Sequence, residues 1–214
     1  MAVAVDAITP NLVPIVWVTW VIYWTIAAYG TKTTQREESA ASRLGHILPL
    51  GLASWLFFAR TLPGCRSGTL PLFPPFFCEN IVAPGPVVYF AGVGVLVAGL
   101  AFAVWARRWL GRNWSGVVTL KQDHELVRGG PYRFVRHPIY TGILLGFVGS
   151  AIARDEWRGI LAVAIGYAAL WRKLKLEERW MIERFGDAYR KFQTEVPALI
   201  PNPSRLRRPT GTGR

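Results

Sequence analysis

The chain has 214 residues, 51% of them hydrophobic, with 10 tryptophans and a mean hydropathy of +0.25. This composition argues against an ordinary soluble domain, because the apolar residues come in segments that approach the roughly 20 needed to span a bilayer core. The net charge of +12 is also found in nucleic-acid-binding proteins, so the placement of the charges has to decide between the two classes.

Five apolar segments predict five transmembrane helices, and therefore an all-α integral membrane protein. The first segment carries no charged side chain, and His46 is the only titratable residue of the second. Residues 154–158 alone separate the fourth segment from the fifth, which predicts a tight helical hairpin, and Trp157 can extend the short fifth helix. The five segments are residues 7–31, 44–59, 81–106, 138–153 and 159–171.

The basic residues concentrate on one side of this predicted topology. If the N-terminus lies outside, every lysine and arginine falls on the inner side except Arg60, Arg66, Arg154 and Arg158. This is the positive-inside pattern of multi-pass membrane proteins, and it assigns the positive charge to anionic lipid headgroups. The sequence therefore predicts a multi-pass protein with the lipid bilayer as its partner, a cytoplasmic C-terminus and no role in binding nucleic acid.

The chain divides into three regions. Residues 1–106 form an N-terminal membrane region of three helices, and residues 107–200 combine polar motifs with two further helices. Residues 201–214 are a basic tail whose composition predicts disorder. Cys65 and Cys78 share the predicted outer segment between helices two and three, where they could form a disulfide or remain free thiols; we predict no metal site.

Gly92, Gly94 and Gly99 resemble a nucleotide-binding glycine loop, but such a loop lies between a strand and a helix of a soluble sheet. Inside an uncharged membrane segment, small residues favour close helix packing. We therefore expect all three glycines to contact a neighbouring helix.

A polar segment precedes the fourth helix. Gly129-Gly130-Pro131 predicts a turn, and Pro138 suits the first position of a helix. The free N–H groups of such a helix start suit an anionic ligand, and His137 and Tyr140 should project near each other there. The alternative is that the arginines and tyrosines of this segment are interfacial anchors.

The fifth helix is predicted to continue into the cytoplasm as far as Gly186, a plausible C-terminal stop. Lys173 and Glu177 lie four residues apart on one face, which indicates either a surface ion pair or a carboxylate placed to bind the ribose of a nucleotide. We interpret Glu178 and Glu183 as members of surface ion pairs only.

These motifs resemble the isoprenylcysteine carboxyl methyltransferase family. The resemblance covers roughly residues 107–201 and keeps the order and spacing of the family's motifs. The N-terminal helices resemble the family only in being hydrophobic. The motifs are His124-Glu-Leu-Val127, Gly130-Pro-Tyr132, Arg136-His-Pro-Ile-Tyr-Thr-Gly142, Glu177-Glu178, Phe185-Gly-Asp-Ala-Tyr189 and Val196-Pro-Ala-Leu-Ile-Pro201.

The resemblance implies a cytoplasmic cleft for S-adenosylmethionine, formed by the loop before helix four and the extension of helix five. It implies that Lys173 replaces the arginine that meets the substrate carboxylate in the family, with Arg172 as a possible substitute. A lysine lacks the planar fork of an arginine, so this departure bears on the acceptor rather than on the cofactor. The implied cofactor-binding residues are His124, Glu125, Leu126, Val127, Tyr132, His137, Pro138, Ile139, Tyr140 and Glu177.

The expected acceptor is lipophilic, with the carboxylate of an isoprenylcysteine as the family's namesake. A carboxylate is already a nucleophile and needs no general base, so we assign no catalytic residue. An amine acceptor would have to lose a proton, which His137 or Glu177 could accept. Other acceptors, namely a phospholipid, a small amine, a thiol or another acid, stay open, as do an NADPH-dependent membrane reductase, a small transporter and a structural membrane protein.

Overall fold

The computed structural model describes residues 11–29, 34–58, 75–82, 85–111, 114, 119–121 and 126–202. Four sequence predictions lie outside these residues: those for His124, Glu125 and Cys65, and the predicted tail beyond Asn202. The side chain of Cys78 also lies outside them.

Six α-helices form the described part of the chain. The fifth helix is a single rod that runs through Trp171 and ends at Phe185, as predicted, with Gly186 at φ +53° as its C-terminal stop. A short sixth helix follows. The helices are α1 (Leu12–Ala27), α2 (Ala40–Phe58), α3 (Pro86–Leu110), α4 (Pro138–Arg154), α5 (Trp157–Phe185) and α6 (Asp187–Glu195).

Two short strands, which the all-α prediction missed, connect distant loops. β1 (Thr34–Glu37), between α1 and α2, pairs antiparallel with β2 (Thr119–Lys121), between α3 and α4. At the opposite end, Asn80 pairs with Glu156, and the backbone N–H of Val82 donates to the Asp155 carboxylate. The α1–α2 and α3–α4 loops therefore meet at one end of the helices, and the α2–α3 and α4–α5 loops meet at the other. This arrangement is expected when five consecutive helices alternate in direction.

The helices differ in how well they match a membrane span. Only α3, among the described residues, is long and apolar enough, with 25 residues and an 18-residue stretch of mean hydropathy 2.4. The helices α1 and α4 are shorter and apolar. Large apolar side chains nevertheless face outward, including Ile26 at 66% exposure, Leu48 at 64% and Val87 at 80%. Apolar surface of this kind is typical of a membrane-facing protein, so the membrane assignment holds while the five spans remain a prediction.

Glycines allow α3 and α4 to approach almost to backbone contact. A methyl group placed on Gly149 would lie 2.3 Å from the backbone nitrogen of Leu96, and one placed on Gly92 would lie 2.4 Å from that of Ala153. Gly99 makes the same kind of contact with α4, which confirms the prediction for Gly92 and Gly99. The prediction is wrong for Gly94, which has nothing within 4 Å of the added methyl group, because it faces away from α4.

We expect Gly149→Ala to destabilise the protein by about 1–3 kcal/mol, since the new methyl group forces two backbones apart. Thermal unfolding in detergent measures this as a lower midpoint. Gly94→Ala is the matched control, and its effect should lie between zero and a slight stabilisation, because alanine is the better helix former. Equal midpoints for the two variants would contradict the close approach.

Candidate functional site

The conformation of the loop that precedes α4 depends on Gly130, which packs against the ring of Trp109. Gly130 opens a 3-10 turn, Gly130–Arg133, with φ +58°. A methyl group there would lie 2.4 Å from the Trp109 ring, so both the backbone angle and the space require glycine. The turn places Tyr132 and Val135 in the interior, at 8% and 0% exposure.

The start of α4 is covered by the C-terminal segment. The backbone N–H of Arg136 donates to the carbonyl of Pro197 at 2.9 Å, and that of His137 donates to the carbonyl of Ala198 at 3.0 Å. The Thr141 hydroxyl donates to the Leu199 carbonyl at 2.7 Å. The sequence did not predict this contact, which holds residues 197–199 against the helix start.

The first part of the candidate site joins α4 to α5 through Glu177. The Tyr140 hydroxyl donates to Glu177 Oε1, and His137 Nδ1 lies 3.6 Å from Glu177 Oε2. The rings of His137 and Tyr140 stack in parallel, with centroids 5.5 Å apart. Glu177 keeps 27% of its side chain exposed, so its carboxylate can still accept hydrogen bonds from a ligand.

The second part is a buried ion pair, and it corrects our interpretation of Glu178 as a surface residue. Arg136 Nε and Nη2 lie 2.8 and 2.6 Å from Glu178 Oε1, and the two side chains are only 9% and 6% exposed. His137 Nε2 lies 3.3 Å from the same oxygen, and the Gln193 amide donates to Glu178 Oε2 at 3.1 Å. Because Glu178 follows the fully buried Leu174 by four residues on one helical stripe, its spacing already indicated burial.

The imidazole of His137 therefore lies between two carboxylates. Burial alone would lower its pKa, but hydrogen bonds to Glu177 and Glu178 outweigh burial and raise it. Burial opposes ionisation of both glutamates as well, yet the His137 hydrogen bond lowers the pKa of Glu177, with help from the Lys173 charge, and that of Glu178 to about 2. Because a carboxylate faces each of its ring nitrogens, His137 is held in place and is poorly suited to act as a general base.

Tyr132 completes the wall of the site. Burial raises its pKa, and the nearby Glu177 charge raises it further, so the phenol stays neutral beside that carboxylate. Among the other predicted residues, Pro138 is fully buried and Ile139 packs against Tyr140 and Leu174. Leu126 and Val127 are half-buried in the segment that leads into the 3-10 turn.

The two candidate acceptor-binding cations lie on different sides of α5. Lys173 Nζ lies 5.5 Å from the centre of the Tyr140 ring, on the side of Glu177. Arg172 instead donates to the Ser42 carbonyl at 2.8 Å and packs over Gly45 of α2. Of the two, Lys173 lies with the other predicted site residues.

A second buried pair, not predicted as part of the site, lies beside the first. His46 Nε2 of α2 lies 3.4 Å from Glu38 Oε1, and the two side chains are 3% and 1% exposed. The sequence feature that could have indicated this pair is His46, the single titratable residue of the otherwise apolar segment 44–59. Leu50, one helical turn after His46, packs against the buried cluster that contains Tyr140 and Leu174, and Glu177 acts electrostatically on His46, so this pair lies next to the candidate site.

The arrangement fits the polar part of S-adenosylmethionine. A partly exposed carboxylate, Glu177, can accept hydrogen bonds from hydroxyl or ammonium donors, and the neutral Tyr132 and the half-buried Leu126 and Val127 offer less polar surface. The chemistry that the cofactor would supply when bound is an electrophilic methyl group on a sulfonium.

Comparisons with known proteins find similarity to methyltransferases. The family model for phospholipid methyltransferases matches residues 87–188, a range that contains the 3-10 turn, the start of α4 and both glutamates. The protein-S-isoprenylcysteine O-methyltransferase of Schizosaccharomyces pombe is 29% identical over 135 residues, which cover 60% of this chain and 55% of the relative.

Two bacterial relatives have a different name. The methanethiol S-methyltransferase of Mycobacterium tuberculosis is 33% identical over 126 residues, covering 48% of this chain and 50% of the relative. Methanethiol S-methyltransferase 1 of Bradyrhizobium diazoefficiens is 37% identical over 70 residues, covering 33% of this chain and 24% of the relative.

The chain spans about half the length of the first two of these relatives. The matched range contains His137, Tyr140 and Glu177, which converge at the start of α4. Over this range the chain is similar to the phospholipid methyltransferase family, and protein-S-isoprenylcysteine O-methyltransferases are among its relatives.

Proposed function

We propose that this protein transfers a methyl group from S-adenosylmethionine to a lipophilic acceptor at the membrane surface. The observation that carries the proposal is the convergence of His137, Tyr140 and Glu177 at the start of α4, where a carboxylate is both held by protein donors and accessible to a ligand. A structural membrane protein would have no need to keep Glu177 accessible.

The residues divide the work of holding the cofactor. Glu177 accepts hydrogen bonds from the ribose or the amino group, while Tyr132, Leu126 and Val127 contact the less polar part of the cofactor. His137, Pro138, Ile139 and Tyr140 hold the amino-acid end. His137 orients Glu177 because its ring is held between the two glutamates.

The acceptor that we propose is the carboxylate of an isoprenylcysteine-like molecule. Such a carboxylate attacks without losing a proton, so the protein has only to position it and exclude water, which can lower the barrier by as much as about 7–11 kcal/mol. Lys173, beside Tyr140 and Glu177, orients the anion. The prenyl chain would enter between helices from the bilayer.

The membrane topology is part of the proposal. Five spans, with the N-terminus outside, place the candidate site and most basic residues on the cytoplasmic side. A polar cofactor then arrives from the cytoplasm and a lipophilic acceptor from the bilayer, so that the two meet at the start of α4.

A thiol is the second acceptor that an observation favours. Two relatives are named methanethiol S-methyltransferases, and a thiolate, like a carboxylate, attacks a methyl sulfonium directly. The difference between the two acceptors is that a thiol must first be deprotonated.

The test measures binding before turnover. Purified protein in detergent should bind S-adenosylmethionine and its demethylated product saturably by calorimetry, and should transfer labelled methyl groups to N-acetyl-S-farnesylcysteine. Saturable binding without transfer to this probe would support S-adenosylmethionine as the methyl donor and refute the isoprenylcysteine carboxylate as the acceptor. Folded protein that binds neither form of the donor would refute the methyltransferase proposal altogether.

A further inference from the structure

The Glu38–His46 pair is buried more deeply than structural support alone explains. His46 Nε2 faces the Glu38 carboxylate at 3.4 Å. His46 Nδ1 is also buried, and it makes no hydrogen bond with any of the described residues. A buried polar atom without a partner is destabilising, so a fold that retains one calls for an explanation.

The pair faces the site already described. Leu50, one helical turn after His46 on α2, packs against the buried cluster that contains Tyr140 and Leu174, so this part of α2 meets the start of α4 and the part of α5 that carries Lys173. Lys173, Arg172 and Glu177 all act electrostatically on His46. Glu38 acts on Tyr140, whose hydroxyl is bonded to Glu177.

The geometry fixes the chemistry of the ring. The Glu38 carboxylate can only accept a hydrogen bond, so it holds the proton on Nε2 and leaves the lone pair of the neutral imidazole on Nδ1. A carboxylate next to one imidazole nitrogen also stabilises the imidazolium that forms when the other nitrogen takes a proton. His137 cannot do the same, because carboxylates face both of its nitrogens.

We propose that His46, oriented by Glu38, is the general base that deprotonates a lipophilic thiol acceptor, so that the protein methylates thiols as well as carboxylates. This inference rests on the proposed methyl transfer. A carboxylate acceptor makes no use of a base, so the pair bears on the thiol, the second acceptor proposed above.

A thiol suits this base better than an amine does. The ordinary pKa of imidazole is about 6.5, against about 8.5 for a cysteine thiol and about 10.4 for an alkylammonium, so transfer from the thiol is less uphill. The positive charges of Lys173 and Arg172 favour a thiolate and disfavour an ammonium. A neutral thiol also enters a buried site at lower desolvation cost than a cation does.

The reaction balances without a further reactant. The thiol proton moves to His46 Nδ1, the thiolate sulfur forms a bond to the methyl carbon, and the bond from that carbon to the donor sulfonium breaks. The electron pair of the broken bond stays on the donor sulfur, which becomes a neutral thioether. The imidazolium then releases its proton to water.

The test compares two acceptors in one protein. His46→Gln should lower the transfer rate to 1-octanethiol by about 100-fold or more, the usual contribution of a general base. The rate to N-acetyl-S-farnesylcysteine should fall far less, so the ratio of the two rates is the quantity measured. Glu38→Gln should lower the same ratio by a smaller factor, since it keeps the ring in place but removes the charge.

A second readout does not depend on turnover. When 1-octanethiol binds to the complex with the demethylated product at neutral pH, the wild type should show ultraviolet thiolate absorption, and His46→Gln should not. In the wild type this absorption should disappear at low pH, because His46 is then protonated and cannot accept the thiol proton. The charged groups that act electrostatically on His46 are Glu38, Glu177, Lys173 and Arg172.

Each outcome separates the two proposals. Wild type that binds the product and methylates the carboxylate probe but not the thiol overturns this inference alone. A parallel fall of both rates in His46→Gln, or unchanged thiolate absorption, shows that the pair only supports the fold. Wild type that binds no product removes the methyltransferase proposal, and the inference with it.

Discussion

Replacing Glu177 by alanine is expected to weaken the binding of S-adenosylmethionine about 10- to 100-fold. A hydrogen bond to a charged group contributes about 1.5–3 kcal/mol, and about 1.4 kcal/mol corresponds to a tenfold change in affinity. Glu177 is the carboxylate of the site that a ligand can reach, at 27% exposure, whereas Glu178 is 6% exposed. Calorimetry on the detergent-purified variant measures the dissociation constant.

The matched control is Glu183→Ala, which removes an exposed carboxylate from the same helix and should leave the affinity within about twofold, because one exposed charge contributes little. Tyr140→Phe is a second comparison, since it removes one donor to Glu177 while keeping the ring that stacks on His137. An alanine variant at position 177 that unfolds at the wild-type temperature and binds the cofactor equally well would show that Glu177 serves the helix contact only.

The helices could be predicted because their signal is local. Apolar segments of membrane length and the glycine after Phe185 located α3, α4 and α5 to within a few residues. β1 and β2 could not be found in this way. Each is a short polar segment that is a strand only because it pairs with a partner more than 80 residues away, and no local pattern encodes that contact.

The site divides in the same way. The spacing of His137 and Tyr140 predicted that they lie near each other, and the family resemblance implied that Glu177 shares their site. The structure brings the three side chains together. Glu178 was misjudged because a charged residue was assumed to face water, although its spacing from Leu174 argued otherwise. Its partners Arg136 and Gln193 lie 42 and 15 residues away, and only the packed fold reveals them.

We expect Glu178→Ala to destabilise the fold by about 3–5 kcal/mol, because it leaves the Arg136 guanidinium buried without its anion. The loss should exceed that of any other single substitution discussed here. Glu178 receives hydrogen bonds from α6 and from the segment before α4, so three parts of the chain depend on it. Chemical unfolding in detergent, followed by tryptophan fluorescence, measures the change.

The double variant Arg136→Met/Glu178→Leu tests whether the cost comes from the unpaired charge. Replacing both partners of a buried pair with apolar residues is often neutral or stabilising, so the double variant should recover most of the stability that Glu178→Ala loses.

The pH dependence of stability gives an independent check. The pKa of Glu178 is about 2 in the folded protein, below its ordinary value of about 4.3, so its contribution is complete above that value and is lost as the pH falls towards 2. Glu178→Gln should lack this acid limb, and a double variant no more stable than Glu178→Ala would mean that shape, rather than charge, holds α5 against the start of α4.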